Sequence, residues 1–124
     1  MAEFTFKSGI KTLDIKNDAG EVVRTYSINV GNEDQLKTWI KELKTLDSQE
    51  KDFSEDEKAI DEIVGIYENI IKAILGAGEW AFLWELNNKN VPVMNHFIMY
   101  LSEFLNEELA NAYKRKSNAY KKNV

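Results

Sequence analysis

Eight apolar residues constrain this chain more than anything else in it. Ile60, Ile63, Val64, Tyr67, Ile70, Ile71, Ile74 and Leu75 recur at intervals of three and four, the spacing that gathers side chains on one helical face. A stripe about four turns long is stable in water only when other elements cover it. Gly65 falls inside this helix at a cost of about 1 kcal/mol relative to alanine. A close approach by a neighbouring backbone is the expected reason for it. Gly76 is a natural stop directly after the stripe.

The flanking segments supply the cover. "GNEDQLKTWIKELKTLD" begins with Asn32 as N-cap and Gln35 in the capping-box position, then places Leu36, Trp39, Ile40 and Leu43 on one face. An acidic connection follows, in which Ser54 and Glu57 form a second capping box ahead of the long stripe. Beyond it, "EWAFLWEL" predicts a short helix, "NNKN" breaks the chain, and Pro92 suits the first turn of a last helix. That helix carries Met94, Phe97, Ile98, Leu101, Phe104, Leu105 and Leu109 and is expected to end around Ala112 and Tyr113.

The first thirty residues have period two instead. Phe4 and Phe6, then Leu13 and Ile15, alternate along one strand, with a bend or bulge expected at Gly9. "NDAG" at 17–20 is turn chemistry, and Val22, Tyr26, Ile28 and Val30 share a face of a second strand that Arg24 interrupts, as in an exposed or edge strand. A lone hairpin is marginal, so it must lean on the helices. The expected fold is α+β: an N-terminal β-hairpin followed by three main α-helices and one short one. A single domain of 124 residues divides into a hairpin (1–31), a helical part (32–113) and a basic tail (114–124).

Composition then removes whole classes of function. There is no cysteine, which excludes disulfides, thiolate metal sites and a cysteine nucleophile. The N-terminal segment lacks the apolar run of a signal peptide, and acidic and basic residues interrupt the richest apolar window, so neither export nor a membrane span is expected. Five of the 16 basic residues lie in 114–124, which holds no acid. The remaining 113 residues carry 11 basic against 21 acidic side chains, an acidic body that disfavours nucleic acid. The basic tail reads as a solvated helix end complementing the helix dipole.

Few residues are spaced for chemistry. His96, the only histidine, lies off the apolar stripe with Tyr100, Glu103 and Glu107, and no nucleophile or second imidazole is spaced to work with it. "GAG" at 76–78 follows a helix rather than a strand and has no Lys-Ser/Thr after it, so it is not a phosphate loop. No calcium-loop pattern occurs among the acids of 47–62. No catalytic, cofactor-binding or metal-ligating residue is assigned. What stands out is aromatic surface: Trp80, Leu83 and Trp84 on one face of the short helix, Phe82 and Leu86 on another, a pattern that serves either a core or a partner.

Three features resemble a known family. They are "LDIKNDAGEVVRTYSINVGNEDQLKTW", "WELNNKNVPVMNHFIMYLSEFLNEEL", and the plan of hairpin, acidic linker, helices and basic end. Together they resemble the tail assembly chaperones of long-tailed bacteriophages and prophages of Gram-positive hosts. The resemblance implies a non-enzymatic protein of the host cytoplasm that coats the tape-measure protein, passes it to tail-tube subunits and is absent from the mature virion. It also implies two product lengths through a ribosomal frameshift, for which "KKN" at 121–123 offers an A-rich site. Trp80, Phe82, Trp84, Met94 and Phe97 are then the candidate partner-binding residues, in a helix-in-groove mode with methionine as an adaptable surface. Coating a filament implies a homo-oligomer, with the Arg24-bearing strand edge as its candidate contact. The alternatives are a small tail or neck adaptor retained in the virion and a small regulatory protein that masks a basic partner.

Overall fold

The computed structural model describes residues 2–6, 8–49 and 57–122. Its elements are an antiparallel hairpin, β1 (Ile10–Lys16) and β2 (Val22–Asn29), then α1 (Glu33–Gln49), α2 (Glu57–Ile74), the short α3 (Glu79–Leu86) and the long α4 (Val91–Lys122). The α+β architecture expected from periodicity is the one observed. The Ser54 cap lies outside the described residues.

The hairpin closes as its turn chemistry demands. The Asn17 side chain accepts the Glu21 backbone N–H at 3.0 Å, and Gly20 sits at φ +80°, a conformation that other residues adopt only under strain. One step above the turn the register breaks. Ile15 pairs with Arg24 but Lys16 pairs with Val22, which leaves Val23 as the extra residue of a β-bulge. The bulge is therefore here and not at Gly9, whose carbonyl accepts the Val30 N–H at 3.1 Å.

The bulge rotates Val22 to the outer face, where it is exposed, against its expected place beside Tyr26 and Ile28. Arg24 takes the inward face instead. Phe4 and Phe6 are not in a strand either. Both are exposed and touch only edge to face, at 4.9 Å between ring centroids, because β1 does not begin until Ile10.

Leu13, Tyr26 and Ile28 bring the inner face of the hairpin into one core with the helices. Ile63, Tyr67, Ile70, Ile71 and Ile74 of α2 form its spine, and Ile66, on the edge of the predicted stripe, is buried with them. Met94, Ile98, Leu101 and Leu105 of α4 and Trp39 and Leu46 of α1 complete it. Polar groups within this core are paired. The Trp39 indole N–H donates to Ser102 Oγ at 3.2 Å, which in turn donates to the Ile98 carbonyl, and the Tyr67 hydroxyl donates to Asn95 Oδ1 at 2.8 Å. Ile40 and Ile60 lie at the margins of their stripes and remain exposed.

Helix ends follow their local signals. Asn32 Oδ1 accepts the N–H groups of Asp34 and Gln35, so it caps α1 as expected. Gly76, at φ +123°, ends α2 and donates to the Ile71 carbonyl. The α4 helix runs on to Lys122, past the stop expected near Tyr113. The apolar stripe gives out after Leu109, but nothing between 110 and 122 is a helix breaker, so propensity carries the helix through the basic segment.

Gly65 also departs from expectation. It is exposed, and a Cβ added there would meet nothing within 4 Å, so no neighbouring backbone needs the space. Gly65→Ala should therefore stabilise the protein by about 0.5–1 kcal/mol. The check is a higher urea midpoint at unchanged slope.

Candidate functional site

Between the hairpin tip, α3 and the start of α4 lies an open cleft of about 500 Å³. Leu83 and Leu86 form one wall, Val93, Met94 and Phe97 the other, and Ile15 with the turn residues 16–19 the rim. A concave, largely apolar surface of this size is suited to apolar side chains from a partner. Among the described residues that line it, the formal charges are those of Lys16 and Asp18 on the turn.

The asparagine-rich corner fixes the angle between the two helical walls. Asn88 and Lys89 adopt left-handed backbone (φ 61° and 55°) and donate to the Glu85 and Trp84 carbonyls, which satisfies the end of α3. Asn87 Oδ1 accepts the Asn90 N–H at 2.7 Å, and Asn90 Oδ1 accepts the Val93 N–H at 3.0 Å as the cap of α4. Asn95, the fourth, holds the Tyr67 hydroxyl. The asparagines are thus used up in building the corner. Pro92 follows within the first turn, where its missing N–H leaves no bond unmade.

The five candidate residues fall into three environments. Met94 and Phe97 line the cleft. Trp80 is buried and stacks on half-buried Trp84, with centroids 5.0 Å apart and planes inclined by 19°. Phe82 lies beneath the Arg24 guanidinium, 3.9 Å from the ring centroid. Ile15, Leu83, Leu86 and Val93 line the cleft as well but were not among the candidates. The sequence places Leu83 and Leu86 on different faces of the short helix and Val93 off the stripe of the last one. Nothing local showed that the hairpin tip would stand opposite.

Beside the cleft, hairpin and α3 meet through a polar cluster. The Arg24 guanidinium and the Tyr26 hydroxyl both donate to the same Glu79 oxygen, Oε2, at 2.6 and 2.7 Å. Burial first, and then the bond to the Glu79 carboxylate, push the Tyr26 hydroxyl well above its ordinary pKa of 10.0. The neutral phenol is thus favoured in the folded state. Tyr26 contributes stability that is complete below about pH 10 and is lost as pH rises toward its folded value. Absorbance titration near 295 nm should show a late component of tyrosine ionisation, well above pH 10, and Tyr26→Phe should remove it.

A second groove, of about 440 Å³, runs between Leu36, Ile40 and Leu43 of α1 and Leu109 and Tyr113 of α4. His96 is exposed. Among the described residues no group of three or more His, Asp or Glu side chains is arranged to hold a metal ion, and no helix is long and apolar enough to cross a membrane. Comparison with protein-family models, with curated proteins and with solved structures finds no match in any of the three.

Proposed function

We propose that this chain is a non-enzymatic chaperone of bacteriophage tail assembly. It binds the helical tape-measure protein and recruits tail-tube subunits in the host cytoplasm, and it leaves before the virion is complete. The observation that carries this reading is the apolar cleft walled by Leu83, Leu86, Val93, Met94 and Phe97. A groove between a short helix and the start of a long one accepts the apolar face of a third helix, with anchors at i, i+3 and i+4. Methionine in its wall allows repacking against the varied repeats of a long partner. Self-association along the filament belongs to the same reading, and among the described residues no further strand pairs with the outer edge of β1 or β2.

The test is co-expression with the long helical protein encoded downstream of the native gene. The wild-type chain should co-purify with it. Val93→Asp places a charge at an exposed position of the cleft wall and should weaken binding at least tenfold, about 1.4 kcal/mol, without altering the fold. Full affinity in Val93→Asp, in a protein of unchanged circular dichroism, would count against the cleft. Stoichiometric amounts of the chain in purified virions would favour the retained adaptor instead.

A further inference from the structure

We propose that Arg24, Tyr26 and Glu79 form a latch that sets the width of the cleft by fixing the hairpin tip relative to α3. Two alternate residues of β2 converge on one carboxylate oxygen at the first residue of α3, and Phe82, one turn on, carries the Arg24 guanidinium on its face. Among the described residues these contacts, together with the packing of Ile15 against the core, hold the hairpin just before its tip. Directly across the ladder from Arg24 is Ile15, which lines the cleft, and beyond that pair come the bulge and the turn that rims it.

Further attachments of the hairpin lie on the other side of the latch. Leu13 and Ile28 are buried there, and Lys11 faces Glu108 of α4 at 3.8 Å. If the latch opens, the tip can swing while the base stays in the core. The ion pair is the part of the latch suited to give way, because the side chains of Arg24 and Glu79 are 39% and 23% exposed, whereas Tyr26 is buried in the core. An ion pair with such access to water is held weakly, whereas the apolar base is not. The bulge adds twist and slack at the same place. An incoming helix can thus enter an opened cleft and be gripped as Glu79 regains its two donors.

This control of partner binding rests on the cleft reading; the latch itself does not. Since the chain has no cysteine, Ala19→Cys with Val93→Cys gives a clean pair of spin labels on opposite rims of the cleft. Electron–electron resonance of the otherwise unaltered full chain should give one narrow distance distribution. Glu79→Gln should at least double its width, with a melting transition that remains cooperative. Arg24→Lys, which keeps the charge but loses the fork and the stacking, should fall between the two. Identical distributions in all three proteins would overturn the latch. A widened distribution with tape-measure affinity unchanged within a factor of two would leave the latch standing and overturn its control of binding.

Discussion

Trp80→Ala is expected to destabilise the fold by about 3–5 kcal/mol, the range for removing a large buried aromatic. Trp80 is 9% exposed, and its ring stacks on Trp84. Its loss removes buried area, opens a cavity under α3 and leaves Trp84 without its partner ring. For a domain whose whole stability is about 5–15 kcal/mol, that change brings a large unfolded fraction within reach of mild denaturant. Trp84→Ala should cost less, because Trp84 is only half-buried, though it too forfeits the stack, worth about 0.5–1.5 kcal/mol beyond area. Chemical denaturation of both variants makes the comparison. Near-native stability in Trp80→Ala together with lost partner binding would make Trp80 a docking residue.

Ile28→Ala is the second large effect, at about 2–5 kcal/mol. Ile28 is fully buried at the base of β2, where the hairpin enters the helical core. A two-stranded sheet has little stability of its own, so the hairpin is ordered by what it packs against. The variant should shift the whole unfolding transition and keep it single, whether followed by helical circular dichroism or by tryptophan fluorescence. Early loss of the hairpin with the helical transition unmoved would show that the two parts are not one cooperative unit.

The helical part of the fold was legible because its signals are local. Three apolar stripes, an Asn32 cap and a Gly76 stop are each readable within a few residues, and each stands in the structure. The hairpin was legible in its turn and misread above it. A one-residue bulge at Val23 moves Val22 outward and leaves Arg24 facing in, and strict alternation cannot anticipate such an insertion. Arg24 looked like an interruption of the inward face because its partner, Glu79, is 55 residues away.

The cleft was half legible for a similar reason. Met94 and Phe97 were named as partner-binding residues through the resemblance, but Leu83 and Leu86 read as residues on different faces of the short helix, and Val93 lay off the last helix's stripe, until the asparagine corner sets one helix against the other. Gly65 carried a misleading signal. Glycine inside an apolar helix usually marks close packing, yet here it faces open space.

The most direct measurement is site-specific photocrosslinking to the tape-measure protein, because the described residues offer the partner a second apolar groove besides the cleft. A benzophenone side chain placed at Val93 reports on the cleft, and one at Ile40 reports on the groove between α1 and α4. Both positions are exposed, so either label leaves the core intact. The account predicts a crosslinked species from position 93 and little or none from position 40. Efficient crosslinking from position 40 with none from position 93 would contradict it and move the partner to the other groove.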